Sequence, residues 1–292
     1  MADHHQASSV RGVTITRMEY HGWRESFLLT NGIVEAVVVP SISRIMQFRM
    51  AGERGVFWEN RALDGVSAHS GNEWRNFGGD KAWPAPQEDW EPITGRAWPP
   101  PPTFDSASSE ASVYSGGLLL TSPVDRYYGV QVYRKITLRP GLPVMDITTR
   151  YCKVAGPPVH LAVWVVTQLC NPQRIYALLP ESHSVGPGYT QIHGEFPADV
   201  QKDGRLLSLR RDATHNLKIA MEGNSLVWMN EEYVLSIDAY SAHGAENKCT
   251  TAIYTNMDPL QYVELESMGQ VDKVAVGDTL ELSNSYTLAR SS

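Results

Sequence analysis

The stretch VHLAVWVVTQL, Val159 to Leu169, decides the fold. In an extended chain successive side chains point to opposite faces, so the run divides in two. Leu161, Val163, Val165, Thr167 and Leu169 make one face, nearly all apolar, which belongs in a core. His160, Ala162, Trp164, Val166 and Gln168 make the other, where aromatic and hydrogen-bonding groups are mixed. An apolar plate for C–H surfaces beside polar groups for hydroxyls is what a sugar or another polyol needs.

Alternating or β-branched runs of the same kind extend to both ends of the chain, among them VTITRMEY, IVEAVVVP, VQVYRKITLRP, LKIAME, CTTAIYTN and LELSNSYTL. Short turn signals separate them, such as Asn31-Gly32, Pro140-Gly141, Asp203-Gly204 and Gly223-Asn224. No segment carries the spacing of a long amphipathic helix and no βαβ alternation is visible, so the pattern predicts an all-β protein. So many strands must close into a barrel, a propeller or a large sandwich, because open edges are a liability. Without a blade-length repeat, the expectation is one large antiparallel sandwich over residues 1–292.

The totals agree with a folded soluble protein: 292 residues, 42% hydrophobic and 20% charged. The net charge of −7 and the lack of a basic run speak against a nucleic-acid partner. The opening residues MADHHQASSVRG hold no apolar signal core, and no run approaches the roughly 20 apolar residues of a membrane span. A soluble cytoplasmic protein is therefore expected, with export open if a leader has been trimmed. Cys152, Cys170 and Cys249 lack CxxC spacing and read as free core thiols.

One region breaks the strand rhythm. About Leu63 to Ser112 is rich in Pro, Gly, Trp and Ser, with WPPPPTF at its centre, and is expected to run as loop and extended chain bordering a cleft. Within it, NFGGDKAWPAPQEDW (Asn76 to Trp90) sets large indoles among charges. Trp83, Trp90 and Trp98 could stack on a ligand while Arg75, Lys81 and Gln87 bond its polar groups; equally, the tryptophans could cap the end of the sandwich. A phosphate loop is a poor reading, since neither Ser nor Thr follows Lys81.

The run QYVELES divides as the first stretch does, with Val263 and Leu265 on the core face and Tyr262, Glu264 and Glu266 opposite. Two carboxylates on one face repel, and if enclosed at least one pKa rises toward the range useful to a general acid or base. If the face is merely solvated, they do nothing special.

At this point SRIMQFRMAGERGVFWEN, WRNFGGDKAWPAPQ, YTNMDPLQYVELESMG and VGDTLELSNSYTL together resemble the galactose mutarotase-like (aldose 1-epimerase-like) superfamily, in an uncharacterised bacterial branch. The resemblance runs in order over nearly the whole chain. It implies a β-supersandwich of two large antiparallel sheets with a concave carbohydrate-binding face. In the mutarotases proper a late glutamate takes the proton from the anomeric hydroxyl and a histidine gives one to the ring oxygen. Glu266 stands where that glutamate would be, with Glu264 as second choice. The histidine's strand reads WVVTQL here, with Thr167 and Gln168 in its place.

Gln168 cannot donate a proton as an acid does. His160 shares its predicted face but lies roughly 26 Å along the strand, at about 3.3 Å per residue, and could serve only at another edge of the cleft. Lys81, Arg75 or His160 would then act as acid or electrostatic stabiliser. His183 and His193 fall in a loop without a metal motif, HExxH and GxSxG are absent, and no metal, cofactor or serine nucleophile is expected.

Three functions follow. The first is an enzyme that epimerises or mutarotates a sugar, uronic acid or related oxygen heterocycle by proton transfer. The second is a non-catalytic carbohydrate-binding protein using the same face. The third is a cleft recruited for a specialised step on a non-sugar cyclic substrate. The expected partner is a small carbohydrate-like molecule in the first two and another small cyclic one in the third, and the oligomeric state is left open.

Overall fold

The alternating runs pair into two antiparallel sheets, 12-stranded and 10-stranded among the described residues. The computed structural model describes residues 8–10, 12–68, 74–183, 186–194, 200–241 and 250–291; Met1 to Ala7 and Cys249 lie outside them. The first sheet begins as a meander through Val13–Tyr20, Trp23–Thr30, Val34–Val39 and Arg44–Met50. Its centre is assembled from distant parts of the chain: Asp80–Ala85, then Val159–Cys170, Tyr262–Met268, Thr250–Thr255, Leu217–Glu222 and Tyr189–Gly194. The second sheet has Tyr233–Ser241, Thr279–Arg290, Val144–Lys153 and Val130–Leu138 at its middle. No described helix is long and apolar enough to cross a membrane.

The core lies between the sheets. Val263 and Leu265 meet Leu169, Ile253 and Ile219 from the first sheet and Ile136, Ile147 and Tyr286 from the second. Leu161, Val163 and Val165 pack with Val132, Tyr151 and Leu282. The face expected to be apolar is therefore the one packed between the sheets. Each such side chain contributes about 1.5–3 kcal/mol of burial, and the alternation that secures it turns the intervening side chains outward.

The segment expected to be a continuous loop contains a strand. Asp80–Ala85 pairs with Val159–Cys170 from Asp80↔Thr167 to Ala85↔Ala162, and its ladder with Arg44–Met50 consists of the pair Ile45↔Asp80. Beyond Asp80 this strand has a ladder on one side alone, which is how Pro84, lacking an amide donor, fits inside it. Gly78 and Gly79 make the insertion possible. Both have positive φ, 92° and 69°, and a Cβ on either would come within 2.2 Å of the Trp58 carbonyl oxygen or 2.5 Å of the Ile45 carbonyl oxygen. The rest of the segment includes the short helices Trp90–Thr94 and Pro102–Asp105 and the strand Glu110–Tyr114.

Asp80 anchors this central strand. Its carboxylate accepts from Thr167 at 2.7 Å, from the Tyr286 hydroxyl at 2.6 Å and from the Arg134 guanidinium. Arg134 and Tyr286 come from the second sheet, so one buried ionic group ties the two sheets together. Removing one member of a buried ion pair leaves the other charge uncompensated and costs about 3–5 kcal/mol. Asp80→Ala is accordingly expected to lower unfolding stability by about that amount in urea titration; a loss below about 1 kcal/mol would show that the latch is dispensable.

Candidate functional site

The register of the central strands puts the candidate residues in rows on the outward face. Gln168 stands opposite Glu264, Glu264 opposite Tyr254, Tyr254 opposite Lys218 and Lys218 opposite His193. In the next row Lys81 is opposite Val166 and Val166 opposite Glu266; in the row after, Trp83 is opposite Trp164. Trp164, Gln168, Glu264 and Glu266 thus lie on one face of the sheet, Trp164 bonded to Glu266 and Gln168 to Glu264. Lys81 joins them because it follows the inward-facing Asp80.

The two carboxylates are held differently. Glu266 Oε2 accepts from Lys218 Nζ at 2.8 Å and from the Trp164 indole N–H at 2.9 Å, while its Oε1 is buried with no hydrogen-bond partner. Glu264 Oε1 accepts from Gln168 Nε2 at 2.8 Å and lies 3.8 Å from Lys81 Nζ. All four polar groups are enclosed: Lys81 and Gln168 are 0% exposed, Glu266 3% and Glu264 8%. Lys81 Nζ and Gln168 Oε1 are also without hydrogen-bond partners.

Enclosure shifts the proton affinities. Burial holds the Glu264 carboxyl above the usual carboxylate range, opposed by the charge of Lys81 and reinforced by that of Glu266. Burial pulls the Lys81 ammonium down to about 8, with Glu264 opposing. Lys81 and Glu264 are thus both moved from their ordinary ranges, each by burial first and with the other's charge opposing. Tyr254 is pushed up to about 12, by burial first and then by Glu264 and Glu266.

An aromatic wall flanks the carboxylates. The Trp83 ring lies 5.3 Å from Trp164, 6.0 Å from Trp90 and 5.8 Å from Trp98, with Trp74 5.0 Å from Trp98. Lys218 sits over Trp164 at 4.6 Å and Lys81 over Trp83 at 4.8 Å. Trp90 is fully buried, donates to the Pro84 carbonyl at 2.7 Å and braces the wall from behind. Trp83 is nearly as enclosed, its indole N–H on Asp105 at 2.8 Å. Trp98, 45% exposed, is the indole with open surface.

Other expected residues lie apart from the carboxylates. His160 is exposed and pairs with Lys273 near the far end of its strand. Arg75 donates to the Ser67 carbonyl, and Gln87 is exposed on the turn Gln87–Asp89. Tyr262 remains beside the cluster, its ring 4.6 Å from Trp58 and its hydroxyl pushed up by burial and by Glu264.

Lys218 and Tyr254 join this face without having been expected there, and His193 was expected in a loop. Lys218 alternates with Leu217, Ile219 and Met221, so its outward direction was readable; that its strand lies two places from the Glu264 strand was not. His193 belongs to the strand Tyr189–Gly194 rather than to a loop, and its ring is 5.8 Å from Tyr254. Burial and then the charge of Lys218 lower its pKa below the usual histidine value.

No protein-family model matches the chain, and no curated protein sequence does. Solved structures match it over nearly its full length. A galactose mutarotase-like protein from Lactobacillus casei superimposes with a TM-score of 0.61 at 8% identity, covering 90% of this chain and 100% of that one. The fold is that of the galactose mutarotase-like proteins. A proposed aldose 1-epimerase from Escherichia coli K12 gives a TM-score of 0.60 at 14% identity, covering 96% and 100% of the two chains. A galactose mutarotase related enzyme from Lactobacillus acidophilus gives 0.58 at 11%, covering 91% and 97%.

The Lys81 environment has a measurable consequence. An unfolded chain keeps the lysine proton up to its ordinary 10.5, whereas the folded chain releases it near 8. Between those values the unfolded state binds more protons, so this group makes stability rise with pH, by up to about 1.4 kcal/mol per pH unit. The stability difference between the native protein and Lys81→Met, read by urea unfolding from pH 8 to 10.5, is expected to move in favour of the native protein. A flat difference would mean that Lys81 titrates as an ordinary lysine.

Proposed function

We propose that the chain is a carbohydrate-active isomerase that transfers protons at the anomeric centre of a sugar, uronic acid or related oxygen heterocycle, with Glu266 as general base. The observation that carries this reading is the asymmetry of Glu266. One oxygen is fixed by Lys218 and the Trp164 indole, and the other is buried and unpartnered beside the same indole. A sugar seated against the aromatic wall would bring a hydroxyl to that free oxygen.

Glu266 Oε1 takes the proton of the anomeric hydroxyl as the ring C–O bond opens and the carbonyl forms. The ring oxygen then needs a proton, and no imidazole occupies the Gln168 position. Glu264, whose proton affinity burial raises, supplies it and takes it back on reclosure, with the Lys81 ammonium 3.8 Å away facing the carboxylate left in between. Reclosure from the other carbonyl face returns both protons and inverts the anomeric carbon. Two carboxyl groups in unequal environments thus divide base and acid between them.

A second reading is a non-catalytic carbohydrate-binding protein on the same face. It is favoured by Gln168, whose amide is engaged with Glu264 where a proton donor would otherwise stand. Anomer exchange separates the readings.

Glu266→Gln keeps the side chain's shape and removes its basicity. The variant is expected to fold and to bind sugar with nearly unchanged affinity by calorimetry. Anomer exchange followed by NMR is expected to fall by about 100-fold or more, the usual worth of a general base. Exchange undiminished in the variant would remove Glu266 from the role, and sugar binding without any exchange in the native protein would establish the second reading.

A further inference from the structure

The covering over the two rows that hold Glu264 and Glu266 thins from one side of the sheet to the other. Along the first row Gln168 and Glu264 are buried, Tyr254 and Lys218 half-buried and His193 exposed. Along the second, Lys81, Val166, Glu266 and Ala252 are buried and Ala220 half-buried. Among the described residues, both rows therefore come to the surface toward the edge strand Tyr189–Gly194, away from the indoles. Ala252, opposite Glu266, and Ala220, opposite Ala252, carry a methyl group each, so the second row is low where the first carries Tyr254 and Lys218.

Tyr254 stands at this open end. It is directly opposite Glu264 and diagonal to Glu266, positions about 5 Å and about 7–8 Å away across an antiparallel pair. Its ring lies 5.8 Å from that of His193 and 6.4 Å from that of Tyr262, which come from strands on either side of its own. Its hydroxyl makes no hydrogen bond with any described residue, although burial first, and then Glu264 and Glu266, push its pKa up to about 12. The phenol thus keeps its proton and is a donor without an acceptor. The nearby enclosed oxygens that make no hydrogen bond, Glu266 Oε1 and Gln168 Oε1, are acceptors. A ring bearing several hydroxyls, each of which both donates and accepts, satisfies both kinds of group.

We infer that Tyr254 is a substrate-binding residue that reads one hydroxyl of the sugar ring: its phenol donates to that hydroxyl as another hydroxyl of the same ring meets Glu266 Oε1, so that sugars lacking it are discriminated against. This rests on the carbohydrate reading proposed above. A site that offers a hydrogen bond to a substrate hydroxyl rejects the analogue without it, because the group in the protein is then left unpaired.

The test is calorimetry. The native protein is titrated with glucose, galactose and the corresponding uronic acids, and the tightest-binding of these is then compared with its singly deoxygenated forms on native and Tyr254→Phe protein. The substitution removes an oxygen that bonds to nothing in the described protein, so folding is expected to be kept, as circular dichroism checks. Tyr254→Phe is expected to bind the parent sugar about tenfold more weakly. One deoxygenated form is expected to show that same loss on the native protein and to bind the variant within about twofold of the parent sugar, because the contact is already gone. The other deoxygenated forms are expected to lose the same factor on both proteins. Undiminished affinity in the variant, or a loss that adds to that of every deoxygenated form, would overturn the role of Tyr254 and leave the carbohydrate reading standing. If the native protein binds none of the four sugars, the carbohydrate reading falls and the role of Tyr254 with it.

Discussion

The Asp80 carboxylate, buried between the sheets, is the constraint from which the site follows. It is satisfied only when Arg134 and Tyr286 of one sheet and Thr167 of the other converge on it. A buried charge without those partners would be prohibitively costly. Their convergence fixes the height of the Asp80–Ala85 strand against Val159–Cys170. Alternation does the rest: with Asp80 inward, Lys81 and Trp83 must turn outward, one to Glu264 and the other to Trp164. The latch on the inner face thereby sets the chemistry of the outer one.

The outer face then stays polar without being solvated. Lys218 and the Trp164 indole satisfy half of Glu266, and Gln168 satisfies part of Glu264. The remaining buried atoms, Glu266 Oε1, Lys81 Nζ and Gln168 Oε1, make no hydrogen bond. In a protein interior such groups are rare and concentrate where a ligand or water completes them. The indoles close the site from one side and lower its polarity, which is why a carboxyl and an ammonium a few ångströms apart both leave their ordinary pKa ranges.

Much of this was legible in the residues. Period-two alternation in QYVELES separated Val263 and Leu265 from Glu264 and Glu266, and in VHLAVWVVTQL it separated the core face from Trp164 and Gln168. Those assignments hold because a strand buried on one side cannot slip by one residue without exposing its core. The Asp80–Ala85 strand was not legible, because two glycines and Pro84 signal a loop unless one knows that the neighbouring ladder stops at Asp80. Lys218 and Tyr254 escaped for another reason: their outward direction is local, but the order of strands in the sheet is set by pairing between residues far apart in sequence. Trp90 could be plate or brace by composition alone, and only its complete burial decides for the brace.

The central claim is that this outward face receives a ring-shaped polyol at Glu266. A crystal soaked in a mixture of monosaccharides, reducing disaccharides and uronic acids tests it most directly. The account predicts density for a sugar ring against Trp164, with one hydroxyl within hydrogen-bonding distance of Glu266 Oε1 and another near Glu264 or Gln168. Sugar bound only on other surfaces, with the Glu266 hollow holding nothing but water, would contradict it.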